Sequence, residues 1–293
     1  SSDVCSSDLP DDAVRAVIRG YTRESGVRQL ERELAALCRK AAGGIAEERF
    51  RSLNVRPEKL EALLGPARFK PDERRKEGAV GLVRGLAYTT AGGEVLDVET
   101  AAVPGTGRVE LTGNLGDVMK ESARAAITYI RSRAELLGID PDFYKNKDIH
   151  IHFPEAAVPK DGPSAGITMC IALISALSGK PVRADIAMTG EISLRGRILA
   201  IGGLREKTMA ALRNGIKTVI IPSDNEADLD EIDPLVRAKL SFITASTVDD
   251  VIPAALTDLL PKAGASALQQ NSGAGHAPPG EQAEVAEELL VAP

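Results

Sequence analysis

Ser164 and Lys207 are the two side chains of this sequence whose surroundings best suit bond-making chemistry. Ser164 lies in Pro159-Lys160-Asp161-Gly162-Pro163-Ser164-Ala165-Gly166, between a β-like run and a segment, 165–177, that is apolar nearly all round. That pattern predicts a serine in the first turn of a buried helix. There, unpaired backbone N–H groups and the positive end of the helix dipole favour an alkoxide and an oxyanion. The same residues suit a plain helix cap, because Gly-Pro-Ser ahead of an apolar run is what capping alone selects. They also suit a phosphate cradle, although the G-x-x-x-x-G-K-[ST] signature is missing and Lys160 precedes the glycines.

A serine nucleophile needs a base. His150 and His152 alternate on a predicted strand, so both face one way, and Asp161 completes a Ser-His-Asp set on paper. Lys207 competes with them. In Leu204-Arg205-Glu206-Lys207-Thr208-Met209-Ala210-Ala211 the helical step places it within about 60° of Leu204, Ala210 and Ala211, while Arg205 and Arg213 point elsewhere. If that face is buried, desolvation lowers the amine pKa, and the neutral amine can take a proton from serine. The alternative is a lysine that snorkels to water. Residue types and spacing alone leave these readings open.

The elements that must position these groups follow from periodicity. Asp11 or Asp12 is expected to cap a helix through Val14, Val17 and Ile18, followed by a helix carrying Leu30, Leu34, Leu37 and Cys38 and a short one over 57–64. Residues 10–66 thus form a small all-helical unit, and 67–77, with Lys70-Pro71-Asp72-Glu73-Arg74-Arg75-Lys76-Glu77, a charged linker. Residues 78–261 read as α+β: strands over 80–88, 94–102, 148–153, 218–221 and 241–243, helices over 117–137, 165–177 and 204–214, and a hairpin over 192–201 around Gly196. The stretch 262–293, rich in Ala, Gly, Gln and Pro, is expected to be a disordered tail. Residues 1–9, Ser-Ser-Asp-Val-Cys-Ser-Ser-Asp-Leu, match an in-frame translation of a sequencing adapter (AGT TCA GAC GTG TGC TCT TCC GAT CTN) and are expected to be an artefact on a chain cut at its 5′ side.

Composition narrows the function classes. A net charge of −6, five Phe, four Tyr and no Trp argue against nucleic acid as a partner. Three scattered cysteines form neither a disulfide framework nor a C-x-x-C metal pair, which suits a reducing compartment such as the cytoplasm. No metal site is expected. The longest apolar stretch, 165–177, is shorter than the roughly 20 residues a bilayer requires.

Long, ordered motifs carry a resemblance. The segment 159–166 is followed by Thr189-Gly190-Glu191-Ile192-Ser193-Leu194-Arg195-Gly196 and Ile201-Gly202-Gly203-Leu204-Arg205-Glu206-Lys207. It is preceded by Gly85-Leu86-Ala87-Tyr88-Thr89 and Leu111-Thr112-Gly113-Asn114-Leu115-Gly116-Asp117-Val118-Met119-Lys120-Glu121-Ser122. Together these resemble the proteolytic domain of the ATP-dependent Lon proteases, and residues 10–66 resemble the helical small subdomain of that family's AAA+ ATPase. The resemblance implies a Ser-Lys dyad, with Ser164 as nucleophile and Lys207 as general base. It further implies that Thr189 orients the lysine, that Asp161 and Glu99 tune or gate the site, and that Arg28 is a sensor contacting ATP phosphates. His150 and His152 are then strand packing near the site. The implied substrates are unfolded or damaged proteins, threaded by a homohexamer that uses ATP and magnesium. The phosphate loop and magnesium-site acid are missing from this sequence, so the chain itself is not expected to hydrolyse ATP. Tyr88 stands where the family commonly has Trp. The competing readings are a Lon-like domain serving as a non-catalytic binding or assembly scaffold, and a phosphate-loop kinase-like domain, which would leave Lys207 unexplained.

Overall fold

The computed structural model describes residues 9–22, 24, 26–69, 77–89, 92–154 and 159–257. The adapter-like stretch up to residue 8, the linker core 70–76 and the tail from 258 onward lie outside them.

Helix α1 (Asp11–Tyr21) is entered through Pro10 in extended conformation, and no side chain caps it. This corrects the expectation of an Asp cap: Asp11 and Asp12 sit inside the first turn, where their charge complements the dipole. Helix α2 (Arg28–Ala46), a 3-10 turn (Pro57–Lys59) and α3 (Leu60–Leu64) complete the helical unit. Ala13, Val17, Tyr21, Leu37, Val55 and Leu60 bury one another in a single apolar cluster.

From residue 82 the chain builds a seven-stranded mixed sheet in the order β3-β4-β2-β1-β5-β8-β9. The strands are β1 (Leu82–Thr89), β2 (Gly92–Pro104), β3 (Val109–Thr112), β4 (Lys147–His152), β5 (Ile186–Met188), β8 (Thr218–Pro222) and β9 (Ser241–Ala245). The pairs β1/β2 and β2/β4 are antiparallel, whereas β3/β4, β1/β5, β5/β8 and β8/β9 are parallel. A two-strand ribbon, β6 (Glu191–Ile192) with β7 (Ile198–Leu199), realises the expected hairpin in shorter form. The short strands β3 and β5 escaped the sequence reading because three or four residues are too few to show alternation.

Alternation in β1 and β2 sends side chains to two separate cores. Val83 and Val98 join one core with helices α4 (Asp117–Arg133) and α6 (Gly166–Ser178), while Leu86 and Val95 face a second with α7 (Leu204–Arg213). Helix α6 is buried from Gly166 to Ser175, which explains its apolar character all round. Helix α7 lies so close to β2 that a Cβ on Gly93 would stand 2.0 Å from the Glu206 carbonyl oxygen. The short helices α5 (Phe143–Asn146) and α8 (Pro234–Arg237), and α9 (Val248–Ala255), which carries a Thr247–Asp250 capping box, close the periphery.

Candidate active site

Strand β5 ends at Met188 beside Gly85 of the parallel strand β1, and the segment that follows it, Thr189-Gly190, meets the Ser164 loop there, as open α/β sheets place their sites at carboxyl ends of strands. Ser164 lies two residues before Gly166, the first residue of α6, with Ala165 as N-cap. It is therefore just outside the first turn rather than in it, because Ser164 N–H donates to the Gly162 carbonyl (3.1 Å) and closes a tight local turn. Ser164 lines a cavity of about 120 Å³ whose walls include Leu96, Val98, Met119, Phe153, Ala165 and Thr168, with Lys160 and Asp161 at the polar side.

Lys207 approaches from α7, on the opposite face of the sheet. Its residue is 2% exposed, and its Nζ donates to Thr189 Oγ1 at 3.0 Å. Burial pulls its pKa down to about 8, so about a tenth is the free amine at pH 7 and about half at pH 8. The snorkelling alternative is thereby set aside. Thr189 donates in turn to the Ser164 carbonyl oxygen at 3.3 Å, and Gly190 N–H donates to that same oxygen at 3.0 Å. Thr189 thus links the lysine to the serine's backbone. Among the described residues no hydrogen bond joins Ser164 Oγ directly to Lys207 Nζ.

Asp161 also stands at the cavity, where its Oδ1 accepts from Met119 N–H (3.3 Å) and Gly162 N–H (3.1 Å). It ties the loop to the start of α4. Glu99 is not brought into this group: it is exposed on β2, and the alternating neighbours that line the cavity are Glu94, Leu96 and Val98. Arg28 is exposed at the first turn of α2.

Two readings of the residues are corrected here. A Ser-His-Asp set does not form: Thr112 Oγ1 lies 2.7 Å from both His150 Nε2 and His152 Nδ1, on the sheet face opposite the Ser164 cavity, which no histidine lines. A phosphate cradle is disfavoured because its donors already hold protein acceptors, two of them carboxylates. Gly162 N–H holds Asp161, Ser164 N–H holds Gly162, and Gly166 N–H holds Glu191. Glu191, between Gly166, Ile192 and Ser122, is the site residue the sequence reading left unassigned. The signal was present in Gly166, a glycine opening a helix that otherwise carries side chains everywhere.

The mixed sheet preceded by a helical unit is the architecture expected of the proteolytic domain named above, and the sequence comparisons agree. The sequence model described as the Lon protease (S16) C-terminal proteolytic domain matches residues 54–258, and that of the Lon protease AAA+ ATPase lid domain matches residues 6–52. Lon protease 1 of Bacillus subtilis is 54% identical over 248 residues, covering 85% of this chain and 32% of the relative. Lon protease of Escherichia coli K12 is 53% identical over 249 residues, again 85% and 32%. The chain belongs to the Lon protease family, and it spans about a third of the length of the curated relatives it matches. The helical packing continues past the junction between the two matched regions, since Val55 and Leu60 share a cluster with Ala13 and Val17. Among the described residues no helix is long and apolar enough to cross a membrane.

Proposed function

We propose that this domain is an endopeptidase in which Ser164 is the nucleophile and neutral Lys207 the general base. The observation that carries the reading is the Lys207–Thr189–Ser164 connection, with Lys207 and Thr189 buried and Ser164 lining a largely apolar cavity. Ser164 Oγ attacks a peptide carbonyl as its proton passes to Lys207 Nζ, and the resulting ammonium returns a proton to the leaving amine. Water then attacks the acyl-enzyme, with the lysine again accepting the proton. For the first step Ser164 Oγ turns toward Lys207, and backbone N–H groups near Ser164 are released from their internal acceptors to hold the oxyanion. The cavity accepts an apolar side chain of an unfolded or damaged protein segment.

The whole protein is proposed to be ATP-dependent, homohexameric and cytoplasmic, and the sparse cysteines and acidic balance support a reducing compartment without DNA as a partner. Arg28, exposed beside the positive end of the α2 dipole, suits one phosphate contact of ATP with magnesium. The remaining parts of a nucleotide site are not in this sequence.

The test is hydrolysis of an unstructured fluorogenic peptide by the chain, beside Ser164→Ala and Lys207→Ala, from pH 6 to 10. Loss of cleavage in both variants and a rise with pH are expected. Full activity in either variant refutes the dyad.

A further inference from the structure

We propose that Glu191 is a positioning residue for Ser164, acting through the backbone N–H of Gly166. The inference rests on the Ser164–Lys207 reading above and deepens it.

Segments 164–167 and 189–191 are laced together by hydrogen bonds. The Ser164 carbonyl accepts from Gly190 N–H and the Thr189 hydroxyl, Ile167 N–H donates to the Gly190 carbonyl at 3.1 Å, and Gly166 N–H donates to the Glu191 carboxylate. The first contacts fix the serine's own carbonyl, and the last fixes the far end of the turn that carries it. Glu191 is itself held from two further sides. Ile192 N–H donates to Oε1 at 2.9 Å, and the Ser122 hydroxyl of α4 stands 2.9 Å from Oε2. A Cβ at 166 would lie 2.1 Å from Glu191 Oε1, so any larger residue there displaces the carboxylate from its place. One carboxylate thus joins α4, β6 and the start of α6 beside the nucleophile.

The Ser122 hydroxyl has one proton and two acceptors in reach, Glu191 Oε2 and the Val118 carbonyl at 3.1 Å. An ionised Glu191 takes that proton. A protonated Glu191 instead donates to Ser122, whose proton then serves Val118, so the network is satisfied in both states. Helix α6 contributes no ionisable side chain except Cys170, the buried face of α4 (Met119, Ser122, Ala123, Ala126, Tyr129, Ile130) only Tyr129, and β7 none. Burial raises the Glu191 pKa above the usual carboxylate range, against the pull of its hydrogen bonds. Without the tether the turn can swing, and a misplacement of about 1 Å at a reacting group costs on the order of a hundredfold in rate.

The experiment compares wild type, Glu191→Ala and Glu191→Gln by peptide hydrolysis and by the amide resonance of Gly166 as a function of pH. Glu191→Ala is expected to lower kcat about a hundredfold with KM within about twofold. Glu191→Gln restores most of that loss, because the amide oxygen still accepts from Gly166 and Ile192 while its NH2 donates to Ser122. In the wild type the Gly166 amide shift titrates with a midpoint above the usual glutamate range; in both variants it is flat. Wild-type kcat in Glu191→Ala, or a Glu191→Gln as impaired as Glu191→Ala, overturns the proposal. If the wild type cleaves no peptide, the dyad reading fails by itself, and the Gly166 titration still decides: a wild-type shift that does not follow pH overturns the tether. If Glu191→Ala does not fold, Ser122→Ala takes its place. A Gly166 amide and kcat both unmoved by that change likewise count against the role of Glu191.

Discussion

Two clusters in this domain each set a threonine hydroxyl against nitrogen bases, and they differ in what surrounds them. Thr189 receives a hydrogen bond from Lys207 in the interior, where the lysine residue is 2% exposed. Thr112 stands between His150 and His152 on an open sheet face, where the His150 side chain is 45% exposed and 3.9 Å from Glu110. Histidine is the commoner general base by residue type. Position reverses that preference here. Taking the lysine out of water penalises its ammonium and brings its pKa to about 8, and Thr189 connects the amine to the serine backbone. The histidines are bonded to Thr112 between β3 and β4, and neither lines the Ser164 cavity. A base is defined by desolvation and reach more than by its intrinsic pKa.

The largest effect that would break this contrast is at the proposed nucleophile: Ser164→Ala is expected to reduce peptide hydrolysis by about a thousandfold or more, read by initial rates. Next is Lys207→Met, which is expected to abolish cleavage while leaving the domain folded. It also sharpens the pH argument. Between about pH 8 and the ordinary lysine range the unfolded chain holds a proton the folded chain has released, so wild-type stability rises with pH across that window. Thermal unfolding of Lys207→Met should lack that rise. Cleavage by the wild type should likewise climb as the amine deprotonates and level off above pH 8. Thr189→Val is expected to lower kcat by about 10- to 100-fold, because the lysine loses its bond to the serine's anchor. His152→Asn should leave the pH midpoint of kcat near 8 and change kcat by less than about threefold; a displaced midpoint would transfer the base to the histidine cluster. The smallest effect is Asp161→Ala, expected to cost about 1 kcal/mol or less of stability through the lost contact at the start of α4, measured by denaturant titration.

Much of this was legible in the chain. The small, apolar face around Lys207 is a matter of helical period, and α7 does bury Leu204, Lys207, Ala210 and Ala211. The run 165–177 marked a buried helix, and one forms from Gly166 to Ser178. Local pattern misled where a nonlocal partner decides. Ser164 was expected inside the first turn of α6, yet its N–H turns back to Gly162 and leaves it just outside. Glu99 reads as one more acidic residue until strand alternation on β2 turns it away from the cavity. Glu191 carries no local sign of its task, because Ser122 approaches it from 69 residues away.

By itself, then, the sequence determined the order of helical and mixed segments, the burial of the lysine-bearing face and membership in a family, since periodicity and motif spacing are properties of neighbouring residues. Tertiary structure decided which nitrogen base is linked to the serine's backbone. Ser164 and Lys207 stand on opposite faces of one sheet, and their connection through Thr189, just past the end of β5, depends on strand order and on the close approach of α7 at Gly93. Contacts of that range are set by the packing of whole elements, so no window along the chain contains them.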